Sequence, residues 1–531
     1  MKWSSAFTLR MRHARKVAVT AMPYFDAKSP EFRAATLNIE RRAERQIYDE
    51  RLVKCFVPNR VLEELETSQN QLIYGRRGVG KTHTMKAHLS RCVERGELCH
   101  YIDCTSFGSG LASDGTHQNV GIRFFSKFLQ AVCMQLFEDI VRLEQPVGNQ
   151  QEQLEGILAR FEQLCAPGSN GETFNYAQVI AVTNAFLDCI GAQRLTVLID
   201  EWAQIPLPSQ PYFAEFLKRA FFANPRVTMK IGVVEFAYKL SERVNGQLIG
   251  LERSADIFSD IRMDHFFVWD EDKDFVERFF VEVLFNHLAL QLNIDLGISS
   301  DDKLGHVMSD LFTQRRVFAE LCRASEGNAR DFLVIFGKAH GKFKQQTVRQ
   351  NIGLDDVHNA AIALYRGDKY PNISSEGELE KFLDYLIHSV ICNRKSRTFM
   401  VPYHLRNHDL LRRLYSARIL NGRTPIVQVS DTILSRWITV PMHHSKVQPT
   451  NRNSSCFGKR ATPGPMSWIS CHSTIGEAFA ELCLRSRIYR SLHSRGIDMY
   501  VKCVTIYVLC VCHHPSRPSF QRSARKCWPR R

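Results

Sequence analysis

Residues 71–82 read Gln-Leu-Ile-Tyr-Gly-Arg-Arg-Gly-Val-Gly-Lys-Thr. The first four form a short apolar run, the composition of a buried strand. From Gly75 onward the spacing is GxxxxGK[ST] in full: Gly75, Arg76, Arg77, Gly78, Val79, Gly80, Lys81 and Thr82. The stretch from Lys81 to about Arg95 reads as a helix, so the motif lies between a strand and a helix, the context it requires. Each residue type has a physical reason. Glycines let the backbone curl so that several N–H groups converge on a β-phosphate. The N-terminus of the helix that follows adds a favourable dipole. Lys81 would reach the β- and γ-phosphates, and the Thr82 hydroxyl would ligate Mg²⁺. The plain alternative is a glycine-rich turn, which needs neither the strand nor the helix around it.

A second motif lies downstream. Leu195 to Ile199 reads as a buried strand and ends in Asp200-Glu201. Two acids at a strand end are, alone, an ordinary polar turn. After a complete phosphate loop they read as the second nucleotide motif. Asp200 would hold Mg²⁺, and Glu201 would orient and deprotonate an attacking water. The expected ligands are ATP and Mg²⁺. Trp202, which follows, is expected to pack at the sheet edge without a chemical role.

Outward from these motifs, the periodicity gives alternating helices and strands. Exposed helices are expected within 30–54, then a short helix ending at Glu66. Further strands are expected at Cys99–Asp103, Val227–Val234 and Phe266–Val268. Helices are expected at Val120–Leu143, 154–165, 175–190 and Pro211–Phe222, with loops at 144–153 and 166–172. Strands alternating with helices imply a parallel sheet covered on both faces. From Lys273 to about Ala363 the pattern is helical. There is no internal repeat.

With 531 residues, 44% hydrophobic and 24% charged, the chain can bury sizeable cores and is neither disordered overall nor fibrous. No apolar run approaches the ~20 residues of a spanning helix. The most apolar stretch, Val501–Cys512, is broken by Lys502 and Thr505. The reading is therefore a soluble chain with no membrane partner.

The formal charge of +15 is unevenly spread: residues 1–25 carry +5, residues 441–531 carry +12, and the body between them is −2. Any nucleic-acid contact must therefore come from a local patch. Of the 16 cysteines, nine are scattered through residues 1–440 without a CxxC pair, which suits a reducing, cytoplasmic compartment. The cysteines and histidines of the tail, Cys503 to Cys527, fit no usual zinc spacing. The basic, acid-free first 25 residues read as a disordered arm rather than a targeting segment.

YGRRGVGKTH, LIDEW and the helix-rich continuation resemble AAA+ ATPases, specifically the bacterial proteins related to the origin-recognition and replication-initiator clade. The resemblance covers roughly residues 50–420. It implies an α/β fold of P-loop type with a five-stranded parallel sheet, a helical lid, and often a winged-helix domain after the lid. It also implies that the fourth strand, MKIGVVEF, ends in a residue that senses the γ-phosphate. That position is Glu235, where the family usually carries Asn, Thr or Ser. An acid is repelled by phosphate unless metal or arginine intervenes, and the plain alternative is a carboxylate held by a neighbouring Arg or Lys. In SEGNARDF, residues 325–332, Arg330 resembles the second sensor that reaches back to the γ-phosphate; a salt-bridged surface arginine is the alternative. Arg253 and Arg262 fall in the region from which the family supplies an arginine to a neighbouring subunit. Neither sits in a decisive motif. Phe56-Val57-Pro58 stands where the family often contacts adenine, and core packing is the plainer reading.

Beyond the lid, residues 377–392 form an amphipathic helix and RKSRTFMV a basic turn into a strand. In 405–418, Leu405, Leu410, Leu411 and Leu414 are expected inward and Arg406, His408, Arg412 and Arg413 more exposed, a helix that could approach the phosphates of double-stranded DNA. A solvated or partner-binding face is the alternative. The organisation expected is a basic arm at 1–29, a P-loop core with N-terminal helices at 30–270, a helical lid at 271–372, a winged-helix-like domain cut short at 373–440, and a basic tail at 441–531 that is disordered or non-native. The alternative for the tail is a nucleic-acid-binding extension. The function expected is slow ATP hydrolysis by a molecular switch coupled to DNA or to protein partners, self-assembly included. A signalling or scaffold ATPase of the STAND kind, assembling without DNA contact, is the competing class.

Overall fold

In the computed structural model, the residues described are 24–39, 50–108, 115–142, 149–166, 174–269, 271–393, 398–402, 408–428 and 500–506. The N-terminal part supplies α1 (Pro30–Asn38), α2 (Glu50–Cys55) and α3 (Arg60–Leu65). The core then runs β1 (Gln71–Tyr74), α4 (Lys81–Glu94), β2 (Leu98–Asp103), α5 (His117–Arg142), α6 (Asn149–Leu164), α7 (Tyr176–Cys189), β3 (Leu195–Asp200), α8 (Gln210–Leu217) and β4 (Val227–Val233). A hairpin, β5 (Ser241–Val244) and β6 (Gln247–Gly250), precedes β7 (Ser259–Arg262) and the one-turn α9 (Met263–Phe266).

The core sheet has five strands in the order β2-β3-β4-β1-β7, all parallel. Strand alternation sorts its side chains between two layers. Leu72, Tyr74, Val197, Ile199, Ile231 and Val233 pack with Phe125, Phe128, Phe186, Phe213 and Trp202 from the α5–α8 side. Ile73 and Leu198 face the other way, against Val61, Leu65, Met85 and Leu89 of α3 and α4. Helices thus cover both faces, as the alternating pattern predicts. Each fully buried phenylalanine contributes about 1.5–3 kcal/mol relative to exposure.

Two local expectations are corrected, and one element is new. The fifth strand is Ser259–Arg262, which pairs with β1 (Gln71 with Ser259, Tyr74 with Arg262), and not Phe266–Val268. An edge strand needs only one buried side chain, and here that is Ile261. The apolar density of Phe266–Val268 serves helix packing instead: Phe267 stacks on Phe279 at 4.1 Å. The loop expected at 144–153 yields to α6 from Asn149, because a polar run of Gln and Glu makes a solvated first helical turn. The β5–β6 hairpin, unforeseen, turns at Asn245-Gly246, both with positive φ (50° and 83°), the Asn-Gly signature of a two-residue hairpin.

The lid is all helical: α10 (Lys273–Leu292), α11 (Ser300–His306), α12 (Arg315–Ser325), α13 (Ala329–Phe343) and α14 (Leu354–Leu364). Its core centres on Phe280, Leu284, Phe318, Phe332 and Phe336, and Phe25 and Phe32 from before and within α1 complete it. Then follow α15 (Pro371–Ser374), α16 (Gly377–Leu386), β8 (Thr398–Pro402), α17 (Asp409–Ser416) and β9 (Leu420–Gln428). Leu379, Phe382, Leu411, Leu414 and Tyr415 close over Val234 and Phe236 of the core. β10 (Tyr500–Ile506) lies between β8 and β9, antiparallel to both. This strand falls inside the segment read as a tail; its Val, Thr and Ile content suits a strand. The rest of 441–531, and residues 1–23, lie outside the described residues. No helix among the described residues is long and apolar enough to cross a membrane.

Candidate functional site

The phosphate-loop sequence sits at the carboxyl end of β1 and runs directly into α4. Gly78 has φ +86° and Gly80 φ +109°, values that L side chains rarely adopt. At Gly78 a Cβ would also come within 2.7 Å of Asn328 Oδ1 and 2.8 Å of Arg330 Cβ. The loop is thus shaped both by its own glycines and by the lid pressed against it.

Lys81 is buried, and its ammonium donates to the carbonyls of Gly75 (2.7 Å) and Arg76 (3.3 Å). Burial lowers its pKa, while Asp200, Glu201 and Asp264 oppose the shift. The next residue, Thr82, donates its hydroxyl to Asp200 Oδ2 over 2.6 Å. Asp200 is fully buried; the same oxygen accepts from Tyr101 (3.0 Å), and Oδ1 accepts from the Glu201 N–H (2.8 Å). Parallel pairing of β2 with β3 sets Asp103 beside Asp200 and delivers the Tyr101 contact. Glu201 leaves the strand in a left-handed conformation, φ 53°. Burial, then the charge of Asp200, raises its carboxyl pKa; Lys81 and Arg77 oppose this. Lys81, Thr82, Asp200 and Glu201 therefore share one site.

The lid meets the loop residue by residue. Arg76 donates a guanidinium N–H to Glu326 O (2.7 Å), Asn328 Nδ2 donates to Arg77 O (2.8 Å), and Arg330 N–H donates to Gly78 O (3.1 Å). Arg330, read as a sensor, lies against the phosphate loop. Arg76 does not reach outward: it is buried and ion-paired with Asp264, Nε to Oδ1 at 2.9 Å.

Glu235 pairs with Arg262 (3.1 Å), the plainer of its two readings. Arg262 also pairs with Asp260 (3.3 Å), and Arg253 lies against the hydroxyls of Tyr74 and Tyr238. Phe56 packs on the edge of His83, ring centroids 5.1 Å apart, and Val57 is buried. Trp202 is buried in the core against Phe213 rather than at an edge. On α17, Leu411 and Leu414 are buried and Leu410 is partly so. Arg412 pairs with Asp409, Arg413 with Asp409 and Glu376, and Arg418 with Asp331 (3.0 Å) and Asp368. Leu405 and Arg406 lie outside the described residues.

The sequence reading misses Tyr101, Asp264, Asn328 and Tyr415. Only Asn328 carries a local signal, as a side-chain cap three residues before Asp331. The others are brought in by strand register or by packing over long separations.

The donor set suits the expected ligands. Thr82 and Asp200 present hard oxygens at one point, a pairing appropriate to Mg²⁺, which takes few protein ligands. Among the described residues no group of three or more His, Cys, Asp and Glu is arranged to hold a metal.

No family model matches the chain, and no curated protein matches it. Among solved structures it is similar to the Orc1 protein of Aeropyrum pernix in complex with DNA, at 14% identity and a TM-score of 0.33, over 76% of this chain and 90% of that one. It is also similar to a single-substitution form of Thermotoga maritima RuvB, at 10% identity and a TM-score of 0.30, over 72% of this chain and 91% of that one. At these overall likenesses, the chemistry of the site rests on its own geometry.

Proposed function

We propose that the chain is a MgATP-dependent switch of the AAA+ kind that hydrolyses ATP slowly. The observation that carries this reading is the meeting of Thr82 with Asp200 beneath a complete phosphate loop, with Glu201 the next residue. The loop's backbone from Gly75 to Gly80 would hold the phosphates, with Lys81 as their side-chain cation. Thr82 and Asp200 would hold Mg²⁺, which neutralises phosphate charge when bound. Glu201 would accept the proton of the attacking water, and Arg330 would act from the lid side.

The domains we propose are the core to about residue 270, the lid to about residue 372 and a C-terminal unit beyond it, in a cytoplasmic protein. Contacts from Glu326, Asn328 and Arg330 to the loop support coupling between nucleotide and lid. The partner is a protein or a further copy of the chain. Arg418 is held by the buried Asp331, which phosphates would have to displace, whereas Arg412 and Arg413 pair only with the exposed carboxylates of Asp409 and Glu376; the buried pair favours a protein partner over DNA contact through residues 405–418. Single-turnover ATP hydrolysis, with and without duplex DNA, tests the proposal. Turnover lost in Lys81→Ala supports it; absence of ATP binding by the unaltered protein overturns it. Strong stimulation by DNA that is lost in an Arg412→Ala/Arg413→Ala variant would restore the DNA reading.

A further inference from the structure

One buried carboxylate joins the phosphate loop to α17. Asp264, in the single turn α9 after β7, has three donors. Its Oδ2 accepts the Arg76 backbone N–H (2.9 Å) and the Tyr415 hydroxyl (3.0 Å), and its Oδ1 accepts Arg76 Nε (2.9 Å). All three residues are buried, at 7%, 2% and 2% exposure for Asp264, Arg76 and Tyr415. Their separations in sequence are 188 and 151 residues, so no local propensity explains the convergence.

The residue so held is a consequential one. Arg76 gives its N–H to Asp264, and its carbonyl accepts from the Lys81 ammonium and the Val79 N–H. Asp264 therefore fixes the turn on which Lys81 rests. Packing aims the Tyr415 phenol at this carboxylate. Its ring meets Phe236 edge-on, centroids 5.1 Å apart, and its hydroxyl donates to Asp264. Burial, then the nearby Asp264 and Glu235 carboxylates, pushes the phenol well above its ordinary pKa, so it remains a donor at neutral pH.

We propose that Asp264 is a positioning residue for the phosphate loop, and that Tyr415 makes the loop's geometry depend on the seating of α17 against the core. A protein partner that lifts α17 would then loosen nucleotide without touching the nucleotide site. This rests on the nucleotide reading above, and it goes further by naming the residues through which the C-terminal unit acts.

The test is ATP affinity and single-turnover rate in the full chain, for the unaltered protein, Tyr415→Phe, Asp264→Asn and the double variant, with Lys81→Ala as control. Tyr415→Phe keeps the ring and removes one donor to a charged acceptor. It should weaken ATP binding about fivefold or more, with a smaller change in the rate at saturation. Because Tyr415 acts through Asp264, adding Tyr415→Phe to Asp264→Asn should cost little further affinity. If the unaltered protein binds ATP and Lys81→Ala binds it far more weakly, while Tyr415→Phe keeps full affinity, this inference fails and the nucleotide reading stands. Additive losses in the double variant would also overturn it. If Asp264→Asn does not fold, Tyr415→Phe alone still decides between a lost affinity and a merely lower melting temperature. If the unaltered protein binds no ATP, the nucleotide reading itself fails.

Discussion

Thr82 Oγ1 and Asp200 Oδ2 lie 2.6 Å apart although 118 residues separate them in the chain. The first belongs to the opening turn of α4, the second to the last residue of β3. Asp200→Asn should therefore act on the metal rather than on the loop. ATP binding should need on the order of tenfold more Mg²⁺ or above, while the backbone cradle persists. A Mg²⁺ titration of nucleotide affinity decides this, and an unshifted midpoint would remove Asp200 from the metal site.

Lys81 is buried at the foot of the loop, its ammonium held at the Gly75 and Arg76 carbonyls. Lys81→Ala deletes a charged donor where phosphate charge is expected. Affinity for MgATP should fall by about tenfold to a hundredfold. Equilibrium binding with a fluorescent ATP analogue measures it. Affinity unchanged within error would defeat the phosphate-loop assignment.

Gly75 to Thr82 and Asp200-Glu201 are legible in the sequence because each motif is contiguous and its chemistry is local. The alternating strands and helices are legible for the same reason: Leu72 and Ile73, or Val197 and Leu198, declare buried faces by adjacency alone. What stays hidden depends on distance. Tyr101 reaches Asp200 only through the register of β2 on β3, and Tyr415 reaches Asp264 only because α17 folds back over Phe236. The fifth strand is misread because Phe266-Phe267-Val268 outweighs Ser-Asp-Ile-Arg in hydrophobicity, whereas an edge strand is defined by backbone pairing with β1. Glu235 shows the same limit: its partner, Arg262, lies on a strand the sequence does not mark.

Lys230 is fully buried in the middle of β4, and its ammonium donates to Thr67 O (2.6 Å), Gln69 O (2.9 Å) and Gln71 Oε1. These three acceptors close the turn that leads into β1. Lys230→Met conserves length but orphans all of them. Stability should drop by about 2–4 kcal/mol, with ATP affinity per folded molecule preserved. Denaturant melts alongside nucleotide binding separate the two effects. A variant as stable as the parent would mean that water satisfies the turn equally well.

Glu320 on α12 ties the lid together, accepting from Arg323 (2.6 Å) and facing His358 of α14 at 3.3 Å. Burial would raise its pKa, but hydrogen bonds from His358 and Arg323 outweigh that and pull it to about 2. A depressed carboxyl pKa contributes stability that is present above its ordinary value of 4.5 and is lost as pH falls toward 2. Glu320→Gln should thus be less stable at neutral pH yet lose less on acidification through that window. Thermal melts at stepped pH show it as a flatter profile; parallel profiles for variant and parent would deny the pair its role.

Glu201 offers the sharpest test of the chemistry. Burial raises its carboxyl pKa and the adjacent Asp200 raises it further, against the pull of Lys81 and Arg77. If it takes the proton from the attacking water, the single-turnover rate should have an acid limb, falling as the Glu201 carboxyl becomes protonated. Glu201→Gln keeps the side chain's shape and leaves the backbone N–H of residue 201 free to keep its bond to Asp200. Binding should survive, because Lys81, Thr82 and the loop backbone are untouched. Hydrolysis should fall by about 10²-fold or more, the scale of a positioned general base. The acid limb should vanish with the carboxyl, since no other change in the variant removes it. ATP-bound protein would then accumulate, and any complex that depends on ATP should last longer. A Glu201→Gln protein that turns over at the parent rate would separate the strand-end acid from catalysis. One that is slow but retains the acid limb would assign that limb to a different group and leave Glu201 a role in orienting water alone.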